Sequence, residues 1–533
     1  MENFPFLSVL TLTPLVGAVI VALLPVSAAK DAKGRNRADE AAKWVALVIS
    51  LLVFVGTMLM FFAFDKNGDR FQFTEDYTWI PSFGTEFAFG VDGIALVMLA
   101  LIALLVPIVI LASWHDGVGG KRSVKTFFAL MLALETCMIG VFAVTDVLLF
   151  YVFFEAMLVP MYFLIASYGG PRRQYAAVKF FLYSLVGGLF MLAAVIGVYV
   201  VSTDQLGDGT FSFEQLTQLD IDPTTQRWLF LGFFIAFAIK APLVPFHTWL
   251  PDAGGQAPIG AAVLLVGVLD KVGTYGMLRY CLPLFPDAAV YFAPWIVGIS
   301  VAGIIYGALL AIGQSDMKRL VAYTSIAHFG FIALGVFAFT SQAGTGAVLY
   351  MVNHGLSTGA LFLVVGFLIN RRKSSQVADF GGAGKVVPWI AGAFLIAGLS
   401  SLALPGTNSF VSEFLVLVGS FATNKAATVI ATIGIVFAAL YILWLYQRTM
   451  QGKLNPEMPK MRDISLRESV VIAPVLVLIV AMGFYPKPVI DVITPAVNFT
   501  MNDIDKKDPA PEARDEARSS EEQGDEAKSG AQK

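Results

Sequence analysis

The sequence predicts an all-α polytopic membrane protein with about fourteen transmembrane helices, ten of them forming two inverted five-helix repeats. Two observations carry this. Of 533 residues, 57% are hydrophobic and 14% are charged, against ~25% charged in an ordinary soluble domain. The charge is also gathered into short clusters separated by apolar runs of ~20 residues, the length that crosses a bilayer as a helix. A net charge of -3 leaves no coherent basic surface for nucleic acid. The lipid bilayer is the expected surround.

Taken in order, the first run, 4–24, lacks the basic start of a signal peptide and is long enough to stay as a span. Spans 2 and 3 follow at 43–64 and 92–113, completing an N-terminal block over 1–125. Spans 4–8 lie at 126–144, 147–167, 175–200, 228–250 and 257–281, a first repeat within 126–282. Spans 9–13 lie at 292–312, 318–339, 345–369, 387–421 and 427–447, a second repeat within 292–450. Span 14 is 468–490. Pro242 and Pro245 in span 7, and Pro405-Gly406 in the overlong span 12, predict two broken helices whose freed backbone groups face protein or water. The acidic, Lys-, Ser- and Gly-containing stretch 503–533 has no apolar face to bury and reads as a disordered tail.

Basic residues concentrate after odd-numbered spans: Lys30, Lys33, Arg35, Arg37 and Lys43, then Lys121, Arg122 and Lys125, and later Arg172, Arg173, Lys318, Arg319, Arg371, Arg372 and Lys373. The loop after span 13 adds Arg448, Lys453, Lys460, Arg462 and Arg467. Loops after even spans hold only Lys66, Arg70, Arg227 and Lys425. The positive-inside rule places the odd loops in the cytoplasm, and both termini on the other face.

A few ionisable groups remain inside the spans: Glu135, Glu155, Lys240, Asp270, Lys271 and Glu413, with His247, His328 and His354. Each such charge costs ~2.5–3.5 kcal/mol on insertion scales, so it needs partners or water. Any one histidine alone reads first as a core residue bonded to a carbonyl. Glu135 suits a structural interhelix hydrogen bond as well as proton transfer. Asp270 is set aside as a local residue, because helix neighbours point in different directions. Glu155 lies among aromatic and aliphatic residues, and Lys240 just before the break in span 7. Burial disfavours both charged forms and pairing restores them, so an acid and an amine that meet intermittently exchange affinity for protons. Glu155 and Lys240 are 85 positions apart, as are His328 and Glu413. That spacing fits two related units, and five-helix units necessarily run in opposite directions. The proline breaks do not align under the same offset.

Lys240-Ala241-Pro242-Leu243-Val244-Pro245-Phe246-His247-Thr248-Trp249-Leu250-Pro251-Asp252-Ala253, with Ser325-Ile326-Ala327-His328 and Asn353-His354-Gly355-Leu356, resembles the antiporter-like membrane subunits of respiratory complex I and their relatives in cation/proton antiporters. Glu155-Ala156-Met157-Leu158-Val159-Pro160-Met161-Tyr162 is similar to the M-type branch of bacterial NADH–quinone oxidoreductase. Glu413, where sibling subunits carry lysine, points the same way. The resemblance implies a proton-translocating subunit in the bacterial plasma membrane, working beside L-type and N-type siblings. It implies that Glu155 and Lys240 form an input ion pair, Lys271 a central relay and Glu413 the exit-side carrier. His328, His354 and His247 would sustain a hydrated path, with Glu135 a further candidate. No cofactor is expected in this chain. Cys137 and Cys281 fall short of the four ligands of an iron–sulfur cluster, so FMN, iron–sulfur clusters and quinone belong to other subunits. Three rivals stand beside this reading: a Na+/H+ antiporter subunit, a membrane subunit of a hydrogenase-type complex, and a scaffold with fossil charges.

Overall fold

The computed structural model describes residues 4–25, 37–116, 122–458 and 461–505. Among them, twelve helices are long and apolar enough to cross a membrane, matching spans 1–6, 8–11, 13 and 14. The seventh and twelfth spans are each a pair of shorter helices: Pro223–Lys240 with Trp249–Gln256, and Pro388–Ser401 with Asn408–Phe421. Proline explains the first gap, because it has no amide hydrogen and disfavours helical geometry in the residue before it. In the second gap Gly406 adopts a φ of 92°, a left-handed conformation open to glycine without penalty.

Two elements escaped the sequence reading. Strands β1 (Gln72–Ile80) and β2 (Thr85–Val91) form an antiparallel hairpin between spans 2 and 3, so the protein is mostly but not wholly helical. The aromatic and β-branched run from Phe73 to Ile80 favours a strand, and Gly84 at φ 58° closes the turn. The second is the helix Lys487–Asp503, which follows the end of span 14 at Phe484 and takes up the first residue of the expected tail. Asp503 pairs with Arg70 at 2.8 Å. The tail is therefore shorter than expected, and its remainder, 506–533, lies outside the described residues, as do Lys30, Lys33, Arg35, Lys121 and Lys460.

The hairpin marks one side of the molecule. Glu75 of β1 accepts hydrogen bonds from the backbone of Leu7 (2.5 Å) and Ser8 (3.1 Å), capping span 1. The helix Lys487–Asp503 is tied to the same side through Arg70, so both described ends lie there. Span 8 (Ile259–Leu284) is wholly buried, and spans 10 (Met317–Val336) and 11 (Ser341–Arg372) nearly so, whereas span 1, span 2 (Arg37–Ala63) and span 6 (Arg173–Leu206) turn leucine and valine outward. Span 8 is also irregular. π-Turns at Leu265–Leu269 and Met277–Cys281 flank its segment Lys271–Gly276, and such turns inside α-helices are frequent at functional sites.

Candidate functional site

Small residues bring the intramembrane charges together. Where Gly273 faces the break in span 7, any Cβ would strike the Phe237 carbonyl and Ala241, so this glycine lets span 8 pack directly on the turn that follows Lys240. Gly188 of span 6 does the same for Glu155, whose carboxylate fills the space a side chain there would need. Glu155 itself sits next to the kink at Met157, where span 5 divides into Val147–Ala156 and Leu158–Tyr168.

No hydrogen bond closes the expected ion pair of Lys240 and Glu155. Lys240 Nζ and Glu155 Oε1 are both buried without a hydrogen-bond partner, and Nζ stands over the Phe154 ring, 4.7 Å from its centre. Asp270 matters more than its sequence position suggested, since its Oδ1 lies 3.1 Å from Lys271 Nζ and both side chains are fully buried. The flexible lysine stem bends back to meet its neighbour, and the same Nζ donates to the Val266 carbonyl inside the first π-turn.

From Lys271 the groups continue into the second repeat. Its Nζ lies 2.6 Å from His354 Nδ1. The His354 and His328 rings are 5.2 Å apart, centre to centre, with His354 Nε2 unpartnered. His328 Nδ1 meets the Tyr350 hydroxyl at 2.7 Å, and that hydroxyl donates to Glu413 Oε2 at 2.8 Å. Tyr350 was not anticipated; one turn before His354 on span 11, it offered only that spacing as a signal. Asn353 is a second unanticipated member. Its amide donates to the Asn408 carbonyl (2.7 Å) and the Ser412 hydroxyl (3.1 Å), tying span 11 to the start of the second half of span 12.

Not every expected residue joins this line. His247 lies in the break of span 7 with Nδ1 unpartnered and its ring edge-on to Tyr306. Glu135 is fully buried and neither carboxylate oxygen has a hydrogen-bond partner. The equal spacing of the two pairs does not place them alike, because Lys240 ends the first half of its broken helix and Glu413 lies in the second half of the other. Chemically, the line alternates groups that give up and take protons, in contact at Lys271–His354 and at His328–Tyr350–Glu413. Its two gaps are bordered by orphaned polar atoms, the kind that ordered water satisfies.

Residues 144–438 match the family model described as NADH:quinone oxidoreductase/Mrp antiporter, TM. The NADH-quinone oxidoreductase subunit M of Mycobacterium tuberculosis is 48% identical over 96% of both chains. The chain belongs to the NADH-quinone oxidoreductase subunit M family. The subunit M of Rickettsia conorii is 41% identical over 93% of this chain and 99% of its own. Among solved structures, a chain of respiratory complex I from Thermus thermophilus superposes with a TM-score of 0.84 at 29% identity, covering 93% of this chain and 99% of that one. A chain of the Mrp complex from Dietzia sp. gives a TM-score of 0.79 at 20% identity over 93% and 99%, which establishes a shared fold. The chain is thus a multi-pass membrane protein of a family that belongs to the complex I membrane arm.

Proposed function

We propose that this chain moves protons across the bacterial plasma membrane along Glu155, Lys240, Lys271, His354, His328, Tyr350 and Glu413, driven by quinone reduction in other subunits. The observation that carries the reading is the continuous contact from His328 through Tyr350 to Glu413, set beside the Lys271–His354 contact. Four ionisable residue types in two hydrogen-bonded stretches across a buried seam serve proton transfer better than they serve packing. FMN, iron–sulfur clusters and quinone then reside elsewhere in the complex, and L-type and N-type siblings flank this subunit. The hairpin side is the non-cytoplasmic one, because the basic loops lie opposite.

In the proposed cycle, a change in a neighbouring subunit neutralises or displaces Glu155. Two unit charges ~4 Å apart at an effective dielectric of ~20 interact by ~4 kcal/mol, so Lys240 loses enough support to release its proton inward. Asp270 and Lys271 take it up across the first gap, His354 and His328 pass it on, and Glu413 delivers it toward the hairpin side. Water bridges the two gaps. The test is the complex purified with Lys271→Ala and reconstituted in liposomes: proton uptake driven by NADH should fall at least ~10-fold per electron transferred. Wild-type pumping would sink the relay. Pumping that responds to replacing Na+ with K+ would favour the Na+/H+ reading instead.

A further inference from the structure

The route from Lys240 and Lys271 straight toward the hairpin side is filled with aromatic rings. A column of rings descends from Lys240: Phe154 and Phe150 of span 5, Phe237 of span 7 and Tyr280 of span 8 lie edge-on, tilted or stacked against one another. Tyr280 continues edge-on to Phe213 in the loop before span 7. At the base of the column stands Arg279, buried in the second π-turn. Its Nη2 pairs with Asp92 at 2.6 Å and its Nε donates to the Tyr275 hydroxyl at 3.1 Å. Its guanidinium lies 4.8 Å from the Phe71 ring centre and 5.6 Å from that of Phe213. Asp92 in turn caps span 3 through the Ala95 amide at 2.8 Å, and Tyr275 donates to the Phe142 carbonyl at 3.0 Å. Spans 3, 4 and 8 are thus joined through one guanidinium.

We propose that Arg279, held between Asp92 and Tyr275 and walled by aromatic rings, seals the hairpin end of the first repeat, so that protons on Lys271 leave only through the second. A guanidinium does not give up its proton in a protein, so it cannot serve as a relay step. Its fixed positive charge lies two turns beyond Lys271 on the same helix and opposes any excess proton that approaches. Arg70 adds a second fixed positive charge there, its guanidinium 5.2 Å from the Phe213 ring centre, so the barrier to a proton is charge even where the Tyr280 hydroxyl has no hydrogen-bond partner. In the second half, the segment from Glu413 to the buried Ser420 on the same half-helix carries no further charged residue. This inference rests on the relay proposed above.

The test uses the whole complex in liposomes, without NADH, under a potassium diffusion potential, with internal pH followed by a dye. Arg279→Gln should raise passive proton conductance about tenfold or more, the scale on which a local charge alters ion access. It should lower protons pumped per NADH while NADH–quinone turnover persists. Phe213→Ser, in a loop outside the spans, opens the same seal without touching the charge and should leak as well; it decides the matter if Arg279→Gln fails to assemble. Adding Lys271→Ala should remove the leak. Wild-type conductance in an assembled variant, or a leak indifferent to Lys271→Ala, would overturn the seal. Should Lys271→Ala alone still abolish pumping, the relay survives that result; if it pumps normally, the relay itself fails.

Discussion

The two repeats place their charged groups in opposite conditions. In the first, Lys240 and Glu155 have polar atoms with no hydrogen-bond partner and a phenyl ring for company. In the second, Glu413, Tyr350 and His328 are joined by short hydrogen bonds, and Asn353, Ser357, Ser400 and Asn408 bridge the neighbouring break through hydrogen-bonded side chains. An unsatisfied buried charge is costly and responds strongly to any nearby change of charge, whereas a bonded chain holds its geometry. On the relay proposed above, the first half is where control would be exerted and the second would conduct.

The contrast predicts a graded series of effects on pumping per electron in the reconstituted complex. Lys240→Ala should stop it, at least ~10-fold down, although the second chain remains intact; normal pumping would break the comparison. Tyr350→Phe removes one hydrogen bond to a charged group, worth ~1.5–3 kcal/mol, and should slow pumping about tenfold with electron transfer retained at low back-pressure. An unaltered rate would mean that water, not this hydroxyl, spans His328 and Glu413. Gly188→Ala pushes on the Glu155 carboxylate and should lower pumping ~2–5-fold, an off-geometry cost of about 1 kcal/mol. Equal sensitivity to an alanine at Gly392, which faces open space, would count against a specific role for that contact.

The smallest effect lies outside the membrane. Asp146, between spans 4 and 5, is pushed up to about 6 by burial, against the pull of backbone N–H groups from Leu149 and Glu86. A carboxyl raised in the folded state contributes stability that is full below its unfolded value of ~3.9 and is lost as pH rises through about 6. Asp146→Asn keeps an acceptor and does not titrate. Relative to this variant, the wild-type complex should lose ~1–3 °C in Tm between pH 4.5 and pH 7, a shift on the order of 1 kcal/mol. A pH-independent difference would rule out Asp146 as the titrating group.

How far the sequence led depended on contrast. Lys240, Lys271 and Glu413 stood out because a charge in an apolar run has few innocent explanations, and Pro242, Pro245 and Pro405 marked both breaks for covalent reasons. Asp270 was discounted on ideal helix geometry, yet a lysine stem can fold back and a π-turn re-aims side chains without any sequence signature. Tyr350 and Asn353 were passed over because a tyrosine or an asparagine in an apolar helix is ordinary; only the packing of spans 10, 11 and 12 makes them part of a chain. The hairpin was too short to register amid the longer helical pattern. Glu135 was left open between two roles, and its missing partners favour neither.

The cap on the first span also bears on how the chain is made. The amides of Leu7 and Ser8 find their acceptor in Glu75, 68 and 67 residues further along. A ribosome therefore releases span 1 into the bilayer long before its end can be satisfied, and the hairpin must form on the same side to complete it. Until then the start of the first helix depends on water or an insertion factor. Biogenesis of this subunit passes through an early intermediate whose first helix is inserted but not yet fastened.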